Sequence, residues 1–271
     1  MTNSSAIPAN VLDVSHLRKS YGDRPVIKDI SFSVASSEFV CLVGPSGVGK
    51  TTLLRCLSGL VSPTGGSVYF LGAPVSEPPD GLSVVLQDYS RSLLPWMRVM
   101  ENVALPLNAR GVPVHDRTEA AMFALESVGL SGADRKYPWQ LSGGMQQRVA
   151  IARALVNSPK MLLMDEPFAS VDAQTRFELE DLTLTIRNRT GVSVVLVTHD
   201  IDEAVYMADK ILVLTGAPAQ VSDIIEVPFG IKRDQMKTRA DPRFATLRNR
   251  VFSQVRDAGM SVSTAIHKTS Q

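Results

Sequence analysis

Several marks of membrane-spanning, secreted and nucleic-acid-binding proteins are missing from this sequence. No apolar run approaches the roughly 18 residues that a bilayer-spanning helix needs. The N-terminal residues MTNSSAIPAN lack the basic start and apolar core of a secretory signal, so we expect a soluble chain. The formal net charge is only +1, without the basic excess that is typical of nucleic-acid binders, and we expect no nucleic-acid partner.

Cysteine is scarce as well. The chain has two cysteines, and their positions match no zinc-ligand spacing. Cys41 lies in the apolar run FVCLVG, and Cys56 lies in a segment with a helical pattern. We predict that both are reduced structural thiols, because disulfides are rare in proteins of a reducing compartment. The sequence also contains no internal repeat and no low-complexity tract.

What the sequence does contain is the pattern of an α/β domain. Its 271 residues, 44% apolar and 20% charged, suit one large domain or a domain with an inserted subdomain. Strand-like runs in residues 11–43 precede a mostly helical stretch at about 88–160, after which strands and helices alternate. This alternation predicts a mainly parallel sheet with helices on both faces.

The two ends of the chain differ from this central part. Residues 1–10 are predicted to be a flexible leader, and residues 231–271 a basic tail that contains an amphipathic helix. The apolar residues that recur at helical spacing in this tail are Phe244, Leu247, Val251 and Val255. Such a helix suits either packing on its own domain or a docking role.

The strongest local signal is a phosphate-binding loop, GPSGVGKT. It matches the pattern G-x-x-x-x-G-K-[ST] and lies between a predicted strand and a predicted helix, which is the context that supports this motif. The backbone N–H groups of such a loop and of the following helix N-terminus bind phosphate, so we expect Lys50 to contact the β- and γ-phosphates and Thr51 to bind Mg²⁺. The candidate nucleotide-binding residues here are Gly44, Pro45, Ser46, Gly47, Val48, Gly49, Lys50, Thr51 and Thr52. In the helix that follows, one apolar face is expected to contain Leu53, Leu54, Leu57 and Leu60.

Two further patterns carry groups that a nucleotide site needs. The apolar strand MLLMDEP ends in Asp165, which can hold Mg²⁺, and Glu166, which can polarise an attacking water. The segment LSGGMQQR opens a helix with Ser142 as its N-cap, and Gly143 and Gly144 leave the N–H groups of that helix accessible to an anion. Taken singly, the first pattern also fits a solvated turn and the second an ordinary capped helix.

Together, LSGGMQQR and the two motifs around it resemble the ATP-binding subunit of an ABC transporter. The resemblance implies an α/β fold of the RecA-like P-loop NTPase class across residues 11–230, with an N-terminal antiparallel β-subdomain and an inserted helical subdomain. The sequence departs from the family pattern at Met145, where glutamine is commoner, and in ASVD, which is one residue shorter than usual.

Four residues outside the three motifs take their expected roles from this resemblance. Tyr21 resembles the aromatic that stacks on adenine, and Gln87 the glutamine that senses Mg²⁺ and the γ-phosphate. His199, in VTHD, resembles the switch histidine at the γ-phosphate, and Asp172 the loop that communicates across a dimer. The implied catalytic residues are Glu166, His199 and Gln87, and the implied Mg²⁺ ligands are Thr51, Gln87 and Asp165. Ser142 and Gly144 of a second copy are expected to close each ATP site.

The resemblance also implies cofactors, partners and a location. We expect ATP and Mg²⁺, a homodimer of ATP-binding subunits, integral membrane permease subunits and, indirectly, a periplasmic solute-binding protein. The chain is then a peripheral protein of the cytoplasmic face of the inner membrane. The segments LLPWMRVMENVALPL and TRADPRFATLRNRV resemble importer ATPases of the nitrate, sulfonate and taurine group.

Two alternatives stay open at this point. One is a soluble ABC ATPase that is not coupled to transport, although such proteins usually carry two ATPase units or long insertions. The other is a P-loop kinase or GTPase, although the base-reading GTPase motif Asn-Lys-x-Asp is absent from the sequence.

Overall fold

A computed structural model of the chain describes residues 10–88 and 92–268, with side chains as far as residue 257. The strands are β1 (Asn10–Tyr21), β2 (Arg24–Ala35), β3 (Phe39–Val43), β4 (Gly65–Phe70), β5 (Ala73–Pro74), β6 (Leu82–Val85), β7 (Met161–Asp165), β8 (Ser193–Val197), β9 (Lys210–Thr215) and β10 (Ala219–Glu226). Within this part of the chain they form one sheet in the order β5-β4-β1-β2-β10-β9-β3-β8-β7-β6.

The middle of the sheet is parallel and buried. Every residue of β3, β7 and β8 is buried, and β3 pairs in parallel with both β8 and β9. A strand that is covered on both faces has no solvent side, which is why these segments are apolar throughout and do not alternate. The predicted α/β fold with a mainly parallel core is confirmed.

The N-terminal strands form the predicted antiparallel part. β1 pairs antiparallel with both β2 and β4, and Tyr21 lies opposite Arg24 across the turn at Gly22 and Asp23. Gly22 has a φ of 56°, which a two-residue hairpin of this kind requires. Because β2 also pairs in parallel with β10, the antiparallel strands continue the sheet of the core.

The helices are α1 (Lys50–Leu57), α2 (Val99–Ala109), α3 (Val114–Ser127), α4 (Gly143–Leu155), α5 (Ala173–Thr190), α6 (Ile201–Met207), α7 (Gln235–Ala240) and α8 (Pro242–Lys268). They cover both faces of the sheet, since alternate residues of β3 enter two different apolar clusters. Val40 and Leu42 pack with α1, whereas Phe39 and Cys41 pack with the apolar residues of α2 to α6. Cys41 and Cys56 are both free and buried.

The predicted helical stretch and the tail both pack on the sheet. α2, α3 and α4 contact one another, and α4 also contacts β6 and α5. The C-terminal helix α8 buries Phe244 and Val251 and contacts α6, α7 and β9. Nowhere in the described part of the chain does a helix have both the length and the apolar character that crossing a membrane requires.

One packing prediction is wrong. The helix α1 ends at Leu57, and Gly59, with a φ of 73°, turns the chain away from the helix axis. Leu60 therefore lies beyond the helix and is 56% exposed, whereas the other three leucines of the predicted face are buried. The predicted leader falls outside the described residues except for Asn10, the first residue of β1.

Candidate functional site

The phosphate loop leaves the end of β3 and enters α1 through backbone that glycine adopts most easily. Gly47 and Gly49 have φ values of 76° and 114°, where other residues are strained. Gly44 is required for space, since a Cβ atom there would lie 2.5 Å from the backbone oxygen of Leu214. Ser46 is exposed at the loop surface. The other predicted residues lie in the same loop or at the start of α1: Pro45, Val48, Lys50, Thr51 and Thr52.

Lys50 is a buried cation within this loop. Its side chain is folded back so that Nζ donates to the backbone oxygens of Gly44 at 2.8 Å and Pro45 at 3.1 Å. Burial lowers the pKa of Lys50, and the nearby carboxylates of Glu166 and Asp165 oppose that shift. The loop thus holds a positive charge at the place where a phosphate chain would lie.

Asp165 and Thr51 meet at the carboxyl end of the sheet. Asp165 is the last residue of β7, and its Oδ1 lies 3.5 Å from the Thr51 hydroxyl. Burial raises the pKa of Asp165, whereas the Thr51 hydrogen bond and Lys50 lower it. Two hard oxygen donors beside a phosphate loop fit Mg²⁺, which takes few protein ligands and completes its shell with phosphate and water. Among the described residues, no group of three or more acidic, histidine or cysteine side chains could hold a metal ion.

Glu166 is the point where the predicted catalytic residues meet. Gln87 Nε2 donates to Glu166 Oε2 at 3.2 Å, and His199 Nδ1 lies 3.0 Å from the same oxygen. The backbone of Glu166 has a φ of 44°, which is uncommon for a residue with a side chain and costs free energy. A backbone hydrogen bond from Glu166 N to Val197 O, at 2.8 Å, holds this conformation in place.

The LSGG segment lies beside the predicted dimer loop. Ser142 caps α4, with its hydroxyl accepting from Met145 N at 3.4 Å. Gly144 is needed for close packing, because a Cβ atom there would lie 2.4 Å from Thr175 Cγ2. Thr175 in turn donates from its hydroxyl to Asp172, the N-cap of α5, at 2.6 Å. Gly143, the first residue of α4, is exposed. The structure therefore groups this segment with Asp172.

Tyr21 lies at the end of β1, with 48% of its surface exposed. Lys19 Nζ sits 4.9 Å from the centre of its ring. An exposed aromatic face is available for stacking, as the predicted adenine contact requires.

Further residues around His199, none of them predicted from the sequence, form a polar cluster. Asp200 caps α6 by accepting from Glu203 N at 3.1 Å, and Arg176 Nη1 donates to Asp200 Oδ2 at 2.9 Å. The spacing of Asp200 and Glu203 is that of a helix-capping pair, a signal that is visible in the sequence. Arg176 carries no such signal, because it joins the cluster from α5.

Comparison with known proteins gives the family of the chain. The family model described as ABC transporter matches residues 27–169. The taurine import ATP-binding protein TauB of Escherichia coli is 41% identical over 249 residues, which are 90% of this chain and 97% of that protein. The protein of the same name from Shigella flexneri is 40% identical over the same share of each chain.

Solved structures give the same result. The dimeric ATP-binding cassette MJ0796 in a post-hydrolysis state bound to ADP and Pi has a TM-score of 0.71 at 30% identity, covering 81% of this chain and 100% of that one. The protein cbiO1 from Clostridium perfringens, part of the ABC transporter complex cbiONQ, has a TM-score of 0.74 at 27% identity, covering 81% and 89%.

The chain belongs to the ABC transporter family. Within that family it is an ATP-binding and ATP-hydrolysing subunit of the importer group.

Proposed function

We propose that this ATPase energises the import of a small sulfonate of the taurine type. One observation supports the proposed ATP hydrolysis: Gln87 and His199 both contact the same carboxylate oxygen of Glu166. Support for the solute class comes from the relatives named as taurine importers and from the resemblance of two segments to that group. Nitrate, the other solute of the group, is the competing assignment.

We assign the following roles to residues of the ATP site. Lys50 exchanges its loop carbonyls for the β- and γ-phosphates, since a buried ammonium gains more from a full negative charge than from two dipoles. Glu166 accepts a hydrogen bond from the attacking water, and His199 and Gln87 hold the Glu166 carboxylate and contact the γ-phosphate. Thr51 and Asp165, with Gln87, would hold Mg²⁺, which when bound supplies positive charge beside the β- and γ-phosphates.

The LSGG segment is proposed to serve the ATP bound to a second copy of the chain. Within one copy its contacts run to Thr175 and the Asp172 loop, and Ser142 and Gly143 are exposed. A helix N-terminus with an exposed hydroxyl suits the open side of a γ-phosphate. Each ATP would then join two subunits, and hydrolysis would separate them.

The membrane partner is proposed to dock on aromatic side chains of the helical stretch, among which are Trp96, Tyr137 and Trp139. Trp96 is 70% and Trp139 69% exposed, and the ring of Trp139 stacks on Tyr137 with centroids 5.9 Å apart. Arg98 lies over the Tyr137 ring at 5.5 Å. Exposed tryptophans of this kind mark protein interfaces more often than free surface.

A periplasmic solute-binding protein delivers the solute in this proposal, and the chain is peripheral on the cytoplasmic face of the inner membrane. The test is ATP hydrolysis by the transporter reconstituted in liposomes with its permease and binding protein. Taurine should stimulate hydrolysis, nitrate should not, and Glu166→Gln should abolish the stimulation. Stimulation by nitrate alone would overturn the solute class, and an inactive parent complex would overturn the catalytic assignment.

A further inference from the structure

A second carboxylic acid lies beneath the Glu166–His199 pair. Glu203, in the first turn of α6, is 4% exposed, and the nearby Thr198 hydroxyl lowers the pKa of its carboxyl. Among the residues that the structure describes, its Oε1 atom has no hydrogen-bond partner, and neither does the buried Nε of Arg176. Unpaired buried polar atoms are costly, so a native structure that keeps them points to a role for them.

These atoms border a small cavity that also reaches the proposed catalytic pair. Glu166, His199, Arg176, Asp200 and Glu203 are among the residues that line it, and its volume is about 10 Å³. This is roughly the space that the centre of one water molecule occupies. Its lining is polar, so one water can bridge Glu203 to the residues above it.

The two neighbours of His199 in the chain lie in one cluster with Glu203. Thr198 Oγ1 accepts from Asp200 N at 3.0 Å, and Thr198 lines the cavity together with Glu203. Asp200 Oδ1 accepts from Glu203 N at 3.1 Å, and its other oxygen accepts from Arg176 at 2.9 Å. The backbone that carries the His199 imidazole is therefore fixed on both sides by one cluster.

The charges around Glu203 favour its neutral form. Burial, together with the carboxylates of Glu180 and Asp200, raises the pKa of Glu203 to about 8. The Thr198 hydroxyl and Arg176 act in the opposite direction and are included in this value. Glu203 is thus a carboxylic acid at neutral pH and can donate a hydrogen bond to a water.

Charged groups on the other elements around α6 do not change this preference of Glu203 for its neutral form. Arg239 of α7 is bonded to Glu180 at 2.8 Å, and Arg248 of α8 faces Asp202 at 3.9 Å. The Cys41 thiol of β3 stays neutral, because burial and Glu203 raise its pKa.

We propose that Glu203 is a positioning residue for ATP hydrolysis, which orients Glu166 and His199 through a water in this cavity. A water that accepts from neutral Glu203 has its own hydrogens free for the Glu166 carboxylate. An ionised Glu203 would instead compete for those hydrogens and repel Glu166. The inference rests on the proposed roles of Glu166 and His199.

The experiment measures kcat and the KM for ATP between pH 6.5 and 9.5, on the full chain assembled with its membrane subunits. For the parent we expect kcat to fall about tenfold between pH 7 and pH 9, which is the change in protonated fraction of a group with a pKa of about 8. Glu203→Gln keeps a neutral donor at every pH, so its kcat should stay within about threefold of the parent at pH 7 and lack the alkaline fall. Glu203→Leu should lower kcat about tenfold or more, with the KM for ATP unchanged.

Glu226→Gln is the matched control, because Glu226 is exposed at the end of β10 and its variant should keep the alkaline fall. An alkaline fall that persists in Glu203→Gln, or that the parent lacks, would overturn the inference. So would a Glu203→Leu variant with the parent's kcat. If that variant does not fold, as judged by far-UV circular dichroism, the pH profile of Glu203→Gln decides alone. A parent that hydrolyses ATP, and loses this activity on Glu166→Gln, shows that the proposed function stands whatever Glu203 does.

Discussion

A buried ion pair ties the C-terminal tail to the ATPase core, and the cost of removing it can be estimated. Glu180 of α5 has a side chain only 1% exposed and accepts from Arg239 of α7 at 2.8 Å. Gln235 Nε2 also donates to Glu180, at 3.0 Å. The Arg239 guanidinium lies over the rings of Phe177 at 4.8 Å and Tyr206 at 4.9 Å, which adds a cation–π contribution.

We predict that Arg239→Met lowers the free energy of unfolding by about 3 kcal/mol, the lower end of the range for breaking one side of a buried pair. The lower end applies because Gln235 still donates to Glu180 in the variant. Methionine keeps an apolar stem against the two rings, so the loss reports the missing charge. Glu180→Gln in the same chain should recover about 2 kcal/mol, since it removes the unpaired buried charge.

The loss should depend on pH in a defined direction. Burial already raises the pKa of Glu180, and Arg239 is one of the groups that lower it. Without Arg239 the pKa of the folded state rises further, so the folded chain holds a proton that the unfolded chain has released. The stability that this proton contributes to the folded variant is present at low pH and is lost as the pH rises. The destabilisation of the variant relative to the parent should therefore be larger at pH 8 than at pH 5.5.

Urea unfolding followed by far-UV circular dichroism measures these differences. Arg256→Met is the control, since Arg256 pairs with Asp257 on an exposed surface and its loss should have no measurable effect. A destabilisation by Arg239→Met below about 0.5 kcal/mol would refute the reasoning, because a buried charge would then have lost its partner at no cost. Equal losses in the parent and in the Glu180→Gln chain would refute the coupling.

Four further predictions concern the ATP site. Lys50→Ala should lower ATPase activity about 100-fold or more and weaken nucleotide binding, because it removes a buried positive charge; parent-level activity in folded protein would contradict the phosphate-loop assignment. Glu166→Gln should bind ATP but turn over at least about 100-fold more slowly, and accumulate as an ATP-bound dimer in size-exclusion chromatography. His199→Ala should likewise bind ATP and hydrolyse it poorly, and normal turnover in either variant would count against its role. In mixed dimers of Lys50→Ala and Ser142→Arg chains, one site regains both intact residues, so tight ATP occlusion at one site per dimer is expected; mixed dimers without occlusion would argue against a site shared by two chains.

The local parts of this protein follow from residues that are neighbours along the chain. The phosphate loop, the acidic end of β7 and the N-cap at Ser142 are contiguous motifs, and their chemistry follows from residue type and spacing alone. The buried strands β3, β7 and β8 were also predictable, because a continuous apolar run that is too short for a helix indicates a buried strand. The family resemblance extended these local signals to Gln87 and His199.

Contacts between distant segments were decided by the tertiary structure. Gln87 lies 79 positions from Glu166, and His199 lies 33 positions from it; their meeting at one oxygen depends on the order and register of the strands that carry them. The Arg176–Asp200 pair and the burial of Glu203 likewise appear only when α5 and α6 pack together. Leu60 fits the helical period of α1 but follows its end at Leu57, where the turn at Gly59 redirects the chain. A periodic pattern specifies which face of a segment is apolar, whereas packing decides where the segment stops and what that face meets.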